Sequence, residues 1–500
     1  MTHCDPSPLT LFLTHTNLLI VFILGKISDL FHILFIGPID KTNYERFPDE
    51  ASKKPLVDDD FFVRRIYGKC SDCFHRPIAS RPSSHIQVMM RNPNTERVAN
   101  IDTNGKLKSC LNMASYNYLG FSESPSHVVD QVLESFDKYG VASGSAYSEY
   151  GYTPIHRELE KRVARFIGKE SAMVVSMGFA TNSTVIPLLA PTRDCLILSD
   201  SLNHSSIVNG TRASEGTPTV LRFRHNDMDH LEKLLRKNII DGQPGPGNRK
   251  PWKKIIVIVE GIYSMEGEIV NLKRVVELKK QYKFHLYVDE AHSCGALGKT
   301  GRGVCEQQNV DPKDIDILMG TFTKSFNSVG GYISGDAEVI DYLKKSCFGL
   351  IYGTSISIPC AQQALSALTC IMGEDNTSIG KEKLDQLSFN TNYFGDSLKK
   401  LGFEIISDRD SPVIVMMIYH LTKLIAFSRI CLERGIAIVI VGAPACPTAL
   451  ARVRFCISSA HTKKDLDDCL VELERIGNDT MTRYKMHDSH LINEFVQIVL

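Results

Sequence analysis

The chain has 500 residues, 43% hydrophobic and 23% charged, with 57 basic and 57 acidic side chains and a formal net charge of zero. That length and balance suit a globular protein with a sizeable core and more than one structural region. The absence of a basic excess excludes a nucleic-acid binder that relies on charge.

The N-terminus differs in kind from the rest. Residues 9–37, LTLFLTHTNLLIVFILGKISDLFHILFIG, are mostly apolar, with Lys26 and Asp29 as the only full charges. Residues 9–25 fall just short of the ~18–20 apolar residues of a clear spanning helix, whereas the whole stretch is long enough. Residues 1–40 are therefore read as a membrane-anchoring segment, either one span or a short span with an interfacial piece. A cleaved signal peptide is the alternative, but it lacks a charged n-region and a small-residue cleavage site. A buried core helix is the third reading.

Residues 41–110 mix charges, prolines and aromatics and read as an N-terminal arm that gives way, from about residue 86, to alternating strands and helices. SAMVVSMGFATN (171–182) is an apolar run breaking into a glycine turn, and DCLILSD (194–200), KKIIVIVEG (253–261), FHLYVDEAH (284–292) and DIDILMGTFTK (314–324) are short apolar strands. Helices are expected between them, such as 156–167 and 271–282. This alternation implies an α/β fold with a mostly parallel sheet covered by helices, over 111–372. Ligands bind such sheets beyond the carboxyl ends of the strands. Residues 242–251, GQPGPGNRKP, form a surface loop. Residues 373–480 read as a smaller α+β domain with a helix at 381–401, strands at 412–419, 436–441 and 451–461, and a last amphipathic helix. Residues 481–500 form a tail.

The 14 cysteines are scattered through apolar runs, as reduced thiols of a cytosol-facing protein would be. Cys70 and Cys73 form a lone CxxC with no second pair, so no metal is expected. VDEAH (288–292) resembles a helicase Walker B motif, and SCGALGKT (293–300) nearly matches a phosphate-binding loop. Ser293 stands where the first glycine belongs and no strand leads in, so an NTPase is excluded.

GTFTKSFNSVGGYISG (320–335) places Lys324 at the end of an apolar strand. A desolvated lysine there is a Schiff-base nucleophile, because burial favours the neutral amine. Its natural carbonyl partner is pyridoxal 5'-phosphate. That cofactor needs a carboxylate at its pyridine nitrogen, amides and hydroxyls at its phosphate, and a flat side chain on its ring. Asp289, the Gly178–Phe179 turn with Thr321, and His204 are placed to supply them. Each residue alone has a plain structural alternative, as a helix cap or a core polar group; the ordered set carries the reading.

NHSS, EGIYSMEG, VDEAHS, GTFTKSF, GGYISG and RVRFCISSAHT, in that order, resemble the α-oxoamine synthases, which are fold-type I pyridoxal phosphate enzymes. NMASYNYLGF (112–121) is similar to the eukaryotic, sphingolipid-forming branch, and the resemblance spans about residues 60–475. It implies that Lys324 holds the cofactor covalently and moves the amino-acid α-proton, that Asp289 pairs with the pyridinium, and that His204 stacks on the ring. It places His292 and Ser264 near the ring hydroxyl, and Gly178, Phe179 and Thr321 at the phosphate. Thr354 and Ser355 would reach the phosphate across a dimer interface. Arg454 would bind the substrate carboxylate, with Arg452 on the same strand face.

The implied reaction is a decarboxylative condensation of L-serine with a long-chain acyl-CoA, giving 3-ketosphinganine. The implied setting is the endoplasmic reticulum membrane, catalytic domain towards the cytosol, in a heterodimer with a related non-catalytic subunit. Three positions depart from the family: Tyr147 stands for an arginine, Asn327 for a glycine, and Gly442 for an arginine of soluble bacterial relatives. Asn tolerates positive φ, so the turn at 327 is expected to survive. Two other readings stay open: an idle paralogue serving as a structural or regulatory subunit, and a synthase using glycine or alanine. Retention of Lys324, Asp289 and His204 together argues against the idle subunit.

Overall fold

The computed structural model of the chain describes residues 6, 8–35, 68–91, 103–214, 216–245, 250–443 and 445–485. Most of the stretch between residue 36 and residue 84, and the tail beyond 485, lie outside the described residues. Among those described, thirteen strands form three sheets. They are β1 (His85–Arg91), β2 (Thr103–Asn112), β3 (Ser171–Val175), β4 (Cys195–Asp200), β5 (Thr219–Phe223), β6 (Lys254–Glu260) and β7 (His285–Asp289), followed by β8 (Ile317–Thr321), β9 (Gly331–Gly335), β10 (Val413–Tyr419), β11 (Ile436–Ala437), β12 (Val439–Val441) and β13 (Ala451–Cys456).

The central sheet has seven strands in the order β3-β9-β8-β7-β6-β4-β5. β5, β4, β6, β7 and β8 are parallel, whereas β9 runs antiparallel to both β8 and β3. Alternate residues of each strand enter different cores: Val257 and Val259 of β6 pack in one cluster, Ile256 and Ile258 in the other. Both faces are therefore dry. That is why these strands read as unbroken apolar runs with no polar alternation.

β9 exists because the chain turns back tightly after β8. Asn327 sits at φ 48° and Gly330 at φ 86° in this return, so asparagine does carry the positive φ expected of it. A Cβ at Gly331 would lie 2.7 Å from the Gly320 carbonyl and 2.6 Å from Thr181 Oγ1, so only the Gly-Gly pair lets the strands approach.

The smaller sheets are β10-β13-β12 and β1-β2-β11. The strand expected over 436–441 is two strands. β11 pairs parallel to β2 and β12 pairs antiparallel to β13, with the break at Ile438. A continuous apolar run carries no mark of where its pairing partner changes. The β1–β2 hairpin, read from sequence as arm and as the start of the β/α alternation, thus completes a sheet with the C-terminal region. Other helices start near their expected positions, at Pro154–Ile167, Leu272–Tyr282, Ile379–Lys400 and Lys463–Asp479.

The segment resembling a phosphate-binding loop wraps a carboxylate of its own. Thr300 N at the segment's end and Arg302 N just beyond it each donate to Glu306 at 3.1 Å. Gly295 N and Ala296 N donate to carbonyls of the same turn, so these amides are not left to face a phosphate. The N-terminal apolar stretch is one helix, Pro8–Phe35, whose large apolar side chains are mostly exposed. It touches the rest of the chain where Thr14 Oγ1 meets His420 Nδ1 at 3.3 Å.

Candidate active site

β4, β6 and β7 end side by side in carboxylates, Asp200, Glu260 and Asp289, with Glu260 the register partner of Asp289. All three are buried. Lys324 follows three residues after Thr321, the last residue of β8, so its amine returns over the same edge. Burial pulls that amine down from the usual lysine range to about 8, against the opposing pull of Asp289 and Glu260. Neighbouring carboxylates at adjacent strand ends thus fail to offset desolvation, and the neutral amine is accessible near neutral pH.

Asp289 is held by a defined set of donors. Ala291 N donates to Oδ1 at 2.9 Å and Asn182 Nδ2 to Oδ2 at 2.7 Å. Asn182 is itself fixed, accepting from Tyr287 OH at 2.6 Å and donating to Ser206 Oγ at 2.9 Å. Ser206 Oγ meets His204 Nδ1 at 2.8 Å. His204 caps the helix Ser205–Arg212, and its backbone N–H donates to the Glu260 carboxyl. Burial, then Asp289, push the Glu260 carboxyl far above the usual range, which favours its neutral form and eases the repulsion from Asp289.

One network therefore orients His204 and Asp289 relative to each other. Burial holds the His204 imidazole below its ordinary range, hence neutral. A neutral ring suits stacking on a cofactor better than a hydrated cation would. His292 is buried with Nδ1 2.8 Å from Tyr118 OH and is likewise pushed well below its usual range, first by burial and then by Lys324 and Arg454.

The Tyr116 ring borders both basic groups of the site. The Lys324 amine lies 5.6 Å from its ring centre and the Arg454 guanidinium 4.7 Å. Arg454, on β13, is buried; its Nη1 reaches the Ser264 carbonyl at 3.4 Å, and its Nε has no hydrogen-bond partner among the described residues. A buried guanidinium with an open donor is a site prepared for an anion, because leaving it unpaired is costly. Arg452 on the same face is spent on structure, pairing with Glu266 at 3.1 Å and donating to the Met265 carbonyl at 3.0 Å.

Pyridoxal phosphate can be tested against this arrangement. Gly178 opens the helix Gly178–Leu189, and a Cβ there would stand 2.9 Å from Thr321 Oγ1. The bare glycine keeps the space beside the Thr321 hydroxyl open in front of helix amides, as a phosphate requires. With a neutral-capable amine, a hydrogen-bonded carboxylate and an open guanidinium nearby, the residues fit the cofactor. Phe179 presents its amide in that turn, while its half-exposed ring meets His204 edge-on at 6.1 Å.

Thr354 and Ser355 stand apart. Thr354 bridges to Ala146, and Ser355 N donates weakly to the Ser145 carbonyl at 3.5 Å. The described contacts of this pair are to residues 145–151, none to Lys324 or Thr321. Tyr147, in the arginine's place, donates to the buried Glu160 at 3.0 Å, alongside Tyr152 at 2.9 Å and Lys344 at 2.8 Å. Sequence reasoning passed over Asn182, Ser206, Tyr287, Glu260, Tyr116 and Tyr118. All six lie inside stretches already singled out, ATN, NHSS, VEG, FHLYVDEAH and NMASYNYLGF, but their residue types carried no signal of contact.

A family model for aminotransferases of class I and II matches residues 108–473. Serine palmitoyltransferase 2 of Dictyostelium discoideum is 47% identical over 454 residues, covering 91% of each chain. Long chain base biosynthesis protein 2a of Arabidopsis thaliana is 46% identical over 476 residues, covering 95% of each. Among solved structures, a serine palmitoyltransferase bearing pyridoxal phosphate as an internal aldimine superposes with a TM-score of 0.71 at 25% identity, covering 83% of this chain and 96% of its own.

Proposed function

The chain belongs to the aminotransferase class I and II family, and from that premise we propose that it is a pyridoxal-phosphate-dependent serine palmitoyltransferase. It condenses L-serine with a long-chain acyl-CoA: a bond forms between the serine α-carbon and the thioester carbonyl, CoA leaves, and the serine carboxylate departs as carbon dioxide. The product is 3-ketosphinganine. The observation that carries the reading is the Lys324 amine, lowered to about 8, beside Tyr116 and an Arg454 whose buried Nε is unpaired among the described residues.

Bound pyridoxal phosphate supplies a ring that withdraws electron density from the serine α-carbon. Asp289, held by Asn182 and Ala291, keeps a proton on the pyridine nitrogen. His204, held by Ser206, covers the ring face. Gly178, Phe179 and Thr321 would hold the phosphate, and His292 and Ser264 would serve the ring hydroxyl. Arg454 receives the serine carboxylate on its open Nε, and Lys324 takes the α-proton on its amine. Tyr116 packs against both groups, and the charge of Arg454 helps keep the Lys324 amine neutral.

Membrane association and assembly belong to the same reading. The helix Pro8–Phe35 has 28 residues and a mean hydropathy of 2.1 in its most apolar window, and at ~1.5 Å per residue it exceeds a ~30 Å bilayer core. It anchors the chain in the endoplasmic reticulum with the catalytic domain in the cytosol, where acyl-CoA and a lipid product meet. Deleting residues 1–40 is expected to move the chain out of the membrane pellet after a high-salt wash while it still binds pyridoxal phosphate. Retention in the pellet would show that another surface anchors it.

The site's own loops expose apolar side chains: Met177, Phe179, Leu202, Val329 and Tyr352, the last 80% exposed. A covering subunit accounts for that exposure. Thr354 and Ser355 then face the partner's half of a pseudo-symmetric heterodimer, whose other chain lacks the lysine. The test is conversion of L-serine and palmitoyl-CoA to 3-ketosphinganine by the chain expressed alone and with a related subunit. Product from the pair is expected; no product from either preparation overturns the activity. Full activity from a homodimer overturns the heterodimer alone.

A further inference from the structure

A buried histidine that the chemistry does not use lies behind the site. His225 follows β5, its side chain 6% exposed. Nδ1 lies 2.9 Å from Asp200 Oδ1 and Nε2 lies 2.6 Å from Glu268 Oε2. The Tyr263 ring meets it edge-on at 4.3 Å. Carboxyl groups at both ring nitrogens favour a proton on each, and so the imidazolium form of the ring. Burial opposes that charge, yet the Asp200 and Glu268 hydrogen bonds outweigh it and raise the group to about 10.

The two carboxylates belong to two separate loops, one leading to His204 and the other contacting Arg454. Asp200 ends β4 and also accepts Leu202 N and Asn226 N, each at 2.9 Å, and its carbonyl accepts Asn203 N at 3.2 Å. That turn delivers His204. Glu268 closes the turn from Tyr263, whose N–H donates to the Glu268 carbonyl at 3.0 Å. That turn offers the Ser264 carbonyl to Arg454, and the Met265 carbonyl and Glu266 carboxylate to Arg452. His225 is the bridge between the loop of the stacking histidine and the turn that seats the carboxylate-binding arginine.

We infer that His225 is a positioning residue, tying the His204 loop to the Ser264–Glu268 turn and so setting the distance between the ring-covering histidine and Arg454. The inference rests on the serine reading above. Loosening the bridge shifts Arg454 relative to the bound amino acid and weakens binding of the substrate carboxylate. It leaves Lys324, Asp289 and the phosphate cradle on their own strands. The charged groups facing His225 are Asp200 from β4 and Glu268 and Glu266 from the turn, with Tyr263 against its ring; Arg452 balances Glu266.

The experiment compares wild type, His225→Gln and the milder Glu268→Gln, each as purified holoenzyme. L-serine is titrated against cofactor absorbance without acyl-CoA, and steady-state rates are measured with palmitoyl-CoA. Both variants are expected to keep the resting cofactor spectrum and the palmitoyl-CoA KM. The serine Kd and KM should rise about tenfold, short of the ~10²-fold that a misplacement of reacting groups by about 1 Å costs, with kcat changed less than about twofold. The double variant should add little to the larger single effect, since both cut one bridge. A Glu268→Gln enzyme of normal spectrum whose serine Kd is unchanged overturns the inference, even if its thermal stability falls. A wild type that neither binds nor turns over serine instead overturns the proposed function.

Discussion

Lys324→Ala is expected to lower 3-ketosphinganine formation by at least about three orders of magnitude, the scale of losing an activated amine that acts covalently. Tyr116 and Arg454 border the same space but offer no amine, and Arg454 does not deprotonate in proteins. The variant should still bind pyridoxal phosphate through Thr321, the Gly178 turn and Asp289, with the absorbance of the free cofactor. Turnover at the wild-type rate would remove Lys324 from the chemistry. The wild-type chain adds a check by pH. An amine at about 8 is neutral in about one molecule in ten at pH 7, against about one in three thousand at the ordinary 10.5. Cofactor attachment to cofactor-free chain should therefore accelerate as pH rises to about 8 and level off beyond it. Continued acceleration towards 10.5 would mean that the amine is not desolvated.

Asp289→Asn is the second large effect. Both carboxylate oxygens are committed, Oδ1 to Ala291 N and Oδ2 to Asn182 Nδ2. An amide must turn its NH₂ towards one of those donors, which costs about 1–3 kcal/mol for a buried polar group left unpaired. The neutral amide also cannot hold a proton on the pyridine nitrogen, so the ring draws less charge from the serine α-carbon. The exchange of the serine α-proton in deuterated solvent should slow by roughly two to three orders of magnitude, the cost of removing one aimed electrostatic partner. The cofactor should remain bound through Lys324. An unchanged exchange rate would assign Asp289 to structure alone. Asn182→Ala should give a weaker version of the same defect, since it removes one donor and leaves the carboxyl group itself in place.

The residue pattern by itself determined the class of fold and the kind of chemistry. Five short apolar runs ending in Asp200, Glu260, Asp289, the Gly178 turn and Lys324 can hardly be placed except in a sheet buried on both faces, because no strand with a wet face lacks polar alternation. Polar groups at strand ends then share one edge, and a lysine among them has few chemical uses. The Gly-Gly pair after Asn327 was visible too, although only the structure turned it into the antiparallel β9.

Tertiary structure alone decided which polar residues support which. Asn182 lies 107 positions from the Asp289 it donates to and 105 from the Tyr287 that holds it, and a hydrogen bond at that separation leaves no local trace in a sequence. The division of labour between the neighbours Arg452 and Arg454 was equally hidden. Both alternate onto one strand face, and only the presence of Glu266 beneath one of them makes it structural and leaves the other an open donor. The switch of residues 436–441 from the β2 sheet to the β13 sheet has the same cause. Local periodicity encodes which face is buried, whereas the choice of partner is made by the packing of segments hundreds of residues apart. His225 shows the point at its plainest: a histidine in a turn becomes a buried cation because folding closes two distant carboxylates on its ring, and no property of its neighbours in the chain requires it.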